Sequence, residues 1–235
     1  MRIGGLVLMY AIEQISPRVL SVVFREEISE TVHEQVLRVT DLFQGRFPGL
    51  IEDVVPSYHQ VTLFFTKPMV SNALRDWVHE EVRGHQHETG LVPKSRIITV
   101  PVSYGGTFGP DLEEVARYLQ LPAEEVIRLH TNADYTVYML GFLPGFPYLG
   151  GMDPALSTPR KMTPRQHVPA GSVGIAGGQT GVYPSPSPGG WQLIGRTPLC
   201  LVDVTHEEPC LFSPGDRIRF EAISEKAFQE LCEGR

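Results

Sequence analysis

The chain has 235 residues, of which 42% are hydrophobic and 20% charged, and its formal net charge is −7. This length predicts two domains, and the composition is typical of chains that bury a hydrophobic core. The negative charge argues against binding to nucleic acid or to an anionic membrane, and the apolar runs are too short to span a bilayer, so we expect a cytoplasmic protein.

The first half of the chain predicts alternating strands and helices. The apolar run from Met1 to Tyr10 indicates a strand or an irregular start. Thr31 and Glu34 have the spacing of a capping box, which predicts the beginning of a helix. In chain order we predict a strand at 19–24, a helix from Thr31, strands at 51–55 and 59–65, a helix from Ser71 and a strand at 97–102. This order is that of the split βαβ, or ferredoxin-like, pattern.

After Tyr104-Gly105-Gly106 the pattern changes, and we place a domain boundary there. Pro110 and Asp111 open one predicted helix, and Pro122 opens a second that ends at His130. Short strands are then predicted at 135–140, 172–175, 191–194, 199–204 and 217–220. Short strands between Gly and Pro residues indicate a sandwich or a barrel. We therefore predict an α+β protein with domains at 1–103 and 104–235.

Two segments rich in Gly and Pro, 141–151 and 169–191, are the strongest candidates for a binding site. Glycine permits close approach of the backbone to a ligand, and proline limits the entropy that such loops lose on binding. Tight turns of a β-barrel are the alternative explanation. Five aromatic residues favour a small-molecule site, because they would supply its apolar walls: Phe142, Phe146, Tyr148, Tyr183 and Trp191.

Polar residues around these segments suggest the chemistry of the site. Arg160 and Arg165, with Arg196, could clamp a carboxylate or a phosphate, or could simply be solvated at the surface. His130 could transfer a proton, although a histidine at the end of a helix is also favoured by the helix dipole. Ser172 and Gln179 could bond a ligand or stabilise turns.

Several classes of site are disfavoured by the sequence. The segment from Gly171 to Gly181 contains no Lys and does not match a phosphate-binding P-loop. The three cysteines lack CxxC spacing, which argues against a zinc site and a disulfide framework and fits a reducing compartment. His85 and His87 have no third ligand nearby, so we expect them to be exposed and predict no metal site.

Longer motifs identify a family. The segments Gly-Phe-Leu-Pro-Gly-Phe-Pro-Tyr-Leu-Gly at 141–150, Val-Pro-Ala-Gly-Ser-Val-Gly at 168–174 and Pro-Gly-Gly-Trp at 188–191 closely resemble the KipI / allophanate hydrolase subunit 1 family. The resemblance covers most of residues 18–220. It implies an N-terminal ferredoxin-like α/β sandwich followed by a C-terminal cyclophilin-like β-barrel.

The resemblance also implies a function. Members of this family act as the B component of a prokaryotic ATP-dependent 5-oxoprolinase, which opens 5-oxoproline to L-glutamate. We therefore expect a lactam hydrolase subunit that is inactive without its partners, which are a larger cyclophilin-like subunit (the KipA-like C component) and an A component. ATP, with Mg²⁺, would be bound by the assembled complex.

On this reading the site residues have two roles. The predicted catalytic residues are His130, Arg165 and Gln179. The predicted substrate-binding residues are Phe142, Gly145, Phe146, Tyr148, Arg160, Ser172, Gly177, Gly178, Tyr183 and Trp191.

Two alternative functions remain open at this point. A KipI-type protein inhibits autophosphorylation of a histidine kinase, and such an inhibitor would need a binding surface but no catalytic residue. A subunit of the allophanate hydrolase or urea carboxylase type is the weaker alternative. The chain has no Met-Lys-Met biotin-carrier motif, because Arg160-Lys161-Met162 is not one, so we expect no biotin on it.

Overall fold

The structure is a computed structural model that describes residues 10–69, 72–84 and 95–234. The chain divides into two compact units, with the division between Ser95 and Arg96. The predicted opening run up to residue 9, the start of a helix at Ser71, and the pair His85 and His87 lie outside the described residues.

The N-terminal unit combines one antiparallel sheet with two helices. Its strands are β1 (Ala11–Ser16), β2 (Val19–Val23), β3 (Ile51–Pro56) and β4 (Gln60–Phe65), in the order β1-β2-β4-β3. Its helices are α1 (Glu30–Phe43) and α2 (Asn72–Gly84). Apolar side chains from both helices and the sheet share one core, as expected of helices with one apolar face.

The start of α1 differs from the prediction. Ser29 is the N-cap, and its hydroxyl accepts a hydrogen bond from the backbone N–H of Val32 at 3.4 Å. The predicted capping box at Thr31 and Glu34 is therefore wrong, because both residues already lie inside the helix. The strands predicted at 51–55 and 59–65 are confirmed as β3 and β4, which pair as an antiparallel hairpin.

The predicted order of elements in the N-terminal domain is also different. Two strands precede α1, and the strand at 97–102 belongs to the other unit, where it forms part of β5 (Ile97–Tyr104). β5 pairs there with β12 (Gln192–Arg196) and β13 (Arg217–Ala222). The unit is a mixed α/β structure, and a ferredoxin-like fold stays a prediction. The predicted boundary after residue 103 falls at the end of β5, whereas the compact units divide before it.

The C-terminal unit contains a closed barrel of seven strands, which confirms the predicted β-barrel. In addition to β5, β12 and β13, the barrel strands are β6 (Tyr135–Leu140), β7 (Pro147–Gly150), β9 (Ser172–Ala176) and β10 (Gln179–Val182). The order around the barrel is β10-β7-β6-β13-β5-β12-β9. The cyclophilin-like class of this barrel stays a prediction.

Further elements flank the barrel. The helices are α3 (Leu112–Leu119), α4 (Ala123–Asn132) and α5 (Glu225–Glu233), and the strands β8 (Arg165–Val168) and β11 (Ser187–Gly189) pair as a two-stranded ribbon. The strand predicted at 199–204 is wrong, because the segment makes only an isolated bridge between Val202 and Cys210. Within the described part of the chain, no helix is long and apolar enough to cross a membrane.

The β9–β10 hairpin has two different faces, and this difference organises the unit. One face carries the side chains that enter the barrel core or its edge: Val173, Ile175, Thr180 and Val182. The opposite face carries small residues and one amide: Gly174, Ala176, Gln179 and Gly181. Because side chains alternate along a strand, the hairpin forms a wall that separates the barrel interior from the residues that pack on its outer face.

Phe146 packs against the outer face of this wall. A methyl group at Gly181 would lie 2.9 Å from Cζ of Phe146 and 2.9 Å from the carbonyl oxygen of Pro147. The absence of a side chain at Gly181 therefore lets the Phe146 ring approach the hairpin closely.

We expect Gly181→Ala to destabilise the protein by about 1–3 kcal/mol, because the added methyl group overpacks the contact with Phe146. Gly178→Ala in the same hairpin is the matched control, since nothing lies within 4 Å of the added carbon there. Denaturant unfolding of both variants measures the difference. Equal stability of the two variants would contradict the close packing of Phe146 on the hairpin.

Candidate functional site

The five aromatic residues predicted to line a binding site lie together in the C-terminal unit. Phe146 is central, with ring centroids at 5.0 Å from Tyr148, 5.3 Å from Tyr183, 5.5 Å from Trp191 and 5.6 Å from Phe142. Most of these pairs meet edge to face, the arrangement that the quadrupoles of aromatic rings favour. We call this group the aromatic cluster.

The aromatic cluster is largely a packed core. Phe146 and Tyr183 are 2% exposed and Trp191 is 6% exposed. Phe142 differs, since it is 61% exposed and has a φ of 68°. A positive φ at a bulky residue is strained, and the surrounding β6–β7 turn holds it. A ligand could therefore reach Phe142, whereas the central rings support the loops around them.

The glycines predicted to bind substrate lie mainly in turns. Gly145 has a φ of 76° in the β6–β7 turn and packs closely against Val202. Gly177 and Gly178 form the exposed tip of the β9–β10 hairpin, where the Gly177 N–H donates to the carbonyl of Thr158 at 2.6 Å. Ser172 is buried at the start of β9. These backbone groups fix the loops, as glycine at left-handed positions does in tight turns.

A buried carboxylate organises the polar side of the unit. Asp111 is 2% exposed, and its Oδ1 accepts hydrogen bonds from Arg165 Nη2 at 2.6 Å and from Lys161 Nζ at 3.0 Å. Its Oδ2 accepts from the backbone N–H of Leu193 at 2.7 Å. In the sequence Asp111 indicates only the beginning of a helix. No local pattern indicates that it pairs with Lys161 and Arg165, which lie about fifty positions later.

The charge state of Asp111 follows from these contacts. Burial alone would raise its pKa, but the hydrogen bonds from Arg165, Leu193 and Lys161 and the charge of Arg165 hold the pKa below its ordinary value. Asp111 is therefore ionised at neutral pH. Arg165, which we predicted to be a catalytic residue, uses one of its nitrogens on this carboxylate.

The segment 157–165, which we call the basic loop, is fixed to the barrel at several points. The Lys161 N–H donates to the carbonyl of Gly190 at 2.8 Å, and Gln192 Nε2 donates to the carbonyl of Pro159 at 3.0 Å. Together with the bond between Gly177 and Thr158, these contacts hold the loop without a ligand. Such a preorganised loop loses little entropy when it binds one.

A cleft of about 390 Å³ lies between α3 and the basic loop. We call it the α3 cleft. Helix α3 contributes Val115 and Tyr118 to its lining, and the basic loop contributes Thr158, Arg160 and Met162. Of the predicted substrate-binding residues, only Arg160 lines it. A volume of this size is at the lower end of the range for small-molecule sites.

His130 lies apart from the other predicted site residues. It is fully buried, with Nδ1 at 2.7 Å from the Tyr104 hydroxyl and Nε2 at 2.9 Å from the Thr180 hydroxyl. Thr180 donates its own proton to the carbonyl of Gly174, so His130 Nε2 carries the proton and Nδ1 accepts from Tyr104. Burial lowers the pKa of His130 to about 3.

The hairpin wall therefore separates two groups of predicted residues. His130 contacts Thr180 on the inner face, whereas Gln179 shares the outer face with Gly181, on which Phe146 packs. The geometry therefore does not bring His130 together with Gln179, although we predicted both as catalytic residues. The position of His130 is that of a neutral, hydrogen-bonded member of the barrel interior.

Few features of the described residues favour the binding of a metal ion or a triphosphate. No group of three or more His, Cys, Asp or Glu side chains in the described ranges is placed to hold a metal ion. Helices α1, α3, α4 and α5 carry Glu in their first turn, which opposes phosphate binding at those helix ends. Lys161 and Arg165 are already paired with Asp111.

Known proteins resemble this chain over most of its length. The family model described as carboxyltransferase domain, subdomain C and D, matches residues 10–212. The B subunit of 5-oxoprolinase from Bacillus subtilis (strain 168) is 45% identical over 95% of this chain and 97% of its own length.

Solved structures agree with this similarity. The crystal structure of TTHA0988 matches with a TM-score of 0.75 and a sequence identity of 39%. The match covers 88% of this chain and 40% of the longer TTHA0988 chain. The urea carboxylase of Kluyveromyces lactis matches with a TM-score of 0.75, over 98% of this chain and 23% of the urea carboxylase chain. Because the sequence identity is only 21%, this similarity supports the fold alone.

We expect Asp111→Asn to cost about 3–5 kcal/mol of folding free energy, because it leaves Lys161 and Arg165 without their buried counter-charge. The matched control is Asp134→Asn, which breaks an exposed ion pair with Arg219. Its effect should be much smaller, since exposed pairs contribute little. Chemical denaturation tests both variants, and similar losses would show that Asp111 does not anchor the basic loop.

The buried His130 predicts a pH dependence of stability. Its pKa is about 3 in the folded chain against 6.5 unfolded, so only the unfolded chain takes up the proton between these values. The contribution of neutral His130 is therefore present above about pH 6.5 and is lost as the pH falls toward 3, with a slope of up to about 1.4 kcal/mol per pH unit.

His130→Gln should remove this slope while retaining a side chain that can hydrogen-bond. The measurement is the difference in unfolding free energy between the wild type and the variant from about pH 7 to about pH 5. The wild type should lose more stability than the variant as the pH falls, so the difference in unfolding free energy should become smaller. A difference that is constant with pH would mean that His130 is not buried in its neutral form.

Proposed function

The chain belongs to the carboxyltransferase domain, subdomain C and D, family, and we propose that it is the B subunit of an ATP-dependent 5-oxoprolinase. The observation that carries this proposal is its similarity to the B subunit of a bacterial 5-oxoprolinase along nearly the full length of both chains. The reaction opens the lactam of 5-oxoproline to give L-glutamate. The likeness to urea carboxylase is too distant to favour carboxyl transfer.

We infer that the chain works in a complex with a larger C component and an A component. The strongly exposed apolar side chains of the C-terminal unit include two aromatic residues and one Met: Tyr118 at 61%, Phe142 at 61% and Met162 at 102%. Exposed aromatic and Met side chains are enriched where protein surfaces meet. These residues are candidates for contact with a partner or a ligand.

The complex would also supply groups that bind ATP. ATP with Mg²⁺ would be held largely by the partner components, because the cations near the α3 cleft are mostly engaged by Asp111 and the helix ends are acidic. The chain alone should therefore be inactive. Its own contribution would be a fixed loop beside an open cleft, which is suited to binding a small substrate.

The requirements of the substrate fit this arrangement. 5-Oxoproline carries one carboxylate on a small, partly apolar ring, so its site needs a cation and some apolar surface. The basic loop and α3 offer both in the lining of one cleft. Negative charge that develops on the lactam oxygen would need hydrogen-bond donors, which the assembled components would provide together.

We expect the chain, mixed with the C and A components of its own organism, to release glutamate from 5-oxoproline in an ATP-dependent manner. Omission of any one component should abolish the release, because no single chain holds the whole site. Enzymatic detection of glutamate measures the rate. A correctly assembled mixture that releases no glutamate would contradict the proposal, and inhibition of histidine kinase autophosphorylation by the chain would then favour the regulatory alternative.

A further inference from the structure

We propose that the α3 cleft is where this chain receives the substrate, with Arg160 pairing with the carboxylate of 5-oxoproline. The identity of the ligand rests on the proposed function. The location of the site rests on the charge, the hydrogen-bonding capacity and the apolar lining of the cleft, which are independent of that function.

The charges of the cleft leave one cation available. Lys161 lies 3.3 Å from the carboxylate of Glu114 and 3.0 Å from that of Asp111, so its charge is balanced within the protein. Arg160 lines the same cleft, is exposed and makes no ion pair with any residue in the described ranges. An anionic ligand that enters the cleft would find its counter-charge at Arg160.

Arg160 also differs from Arg165 in this respect. Arg165 Nη2 is bonded to Asp111, and its side chain is only 26% exposed. The neighbouring Tyr183 has its pKa raised by burial, and the charges of Arg160 and Arg165 oppose this rise. Arg165 also keeps a buried Nη1 without a hydrogen-bond partner among the described residues, but it does not line the α3 cleft, whereas Arg160 is exposed in that lining.

A buried hydroxyl in the cleft lining has no partner. Thr158 is 3% exposed, and its Oγ1 makes no hydrogen bond within the described part of the chain. A buried hydroxyl without a partner is unfavourable, so a ligand that bonds it would gain affinity. The lactam of 5-oxoproline offers both an N–H donor and a carbonyl acceptor for this role.

Apolar side chains complete the lining. Tyr118 of α3 and Met162 of the basic loop both line the cleft, and Val115 is a buried part of it. Exposed apolar side chains beside a cleft are typical of ligand sites, because they lose water when the ligand binds. They would cover the methylene edge of a small ring, while Arg160 and Thr158 bind its polar groups.

The experiment is equilibrium dialysis of radiolabelled 5-oxoproline against the assembled complex, which measures binding without turnover. Arg160→Ala should weaken binding by about 10-fold to 100-fold, the effect of losing a charge-assisted hydrogen bond to a carboxylate. Arg160→Lys should retain part of the affinity. Arg117→Ala, which removes an exposed arginine of α3 outside the cleft lining, is the matched control and should bind as the wild type does.

A second arm tests recognition of the carboxylate. The uncharged amide of 5-oxoproline should compete at least about 10-fold more weakly than the acid, because it cannot pair with Arg160. Wild-type affinity of Arg160→Ala, or equal competition by the amide, would overturn the assignment even if the complex hydrolyses 5-oxoproline. Conversely, binding that depends on Arg160 in a complex that releases no glutamate would support the site and refute the proposed function. A wild-type complex that binds no 5-oxoproline refutes the site.

Discussion

The buried carboxylate of Asp111 holds the basic loop and β12 together on the polar side of the C-terminal unit. It binds Arg165 and Lys161 of the basic loop through one oxygen and the backbone of β12, at Leu193, through the other. A buried charge is tolerable only when it is fully paired, so these contacts constrain each other. The constraint leaves the adjacent Arg160 outside the network, where a ligand can use its charge.

The β9–β10 hairpin is the second constraint, because it sorts residues between two environments. Its inner face places Thr180 against His130, in a setting so poor in water that the histidine stays neutral. Its outer face is nearly bare at Gly174 and Gly181, which lets the aromatic cluster pack on the barrel. The cluster shares its hydrophobic core with Val168 of β8, the strand that continues from the basic loop.

Sequence reasoning predicted much of this arrangement and failed where pairing is non-local. The interleaving of glycine and aromatic residues correctly brought Phe146 and its neighbours together, but it could not show that the central rings are buried. The local sequence predicts the strand at 97–102 as part of the first domain, although it belongs to the barrel. Its partners β12 and β13 follow about a hundred residues later, so no local pattern indicates this pairing. The sequence does not predict β10, because Gly181 has no side chain and so interrupts the alternation of apolar and polar residues. Without β10, the contact between His130 and Thr180 in the barrel interior cannot be predicted.

In the proposed site, the substrate binds outside the barrel wall, in the cleft beside the basic loop. A crystal structure of the assembled complex with 5-oxoproline tests this most directly. We expect the ligand between α3 and the basic loop, with its carboxylate on the guanidinium of Arg160 and the ion pair between Asp111 and Arg165 intact. A ligand bound inside the barrel beside His130, or wholly within a partner component, would contradict it.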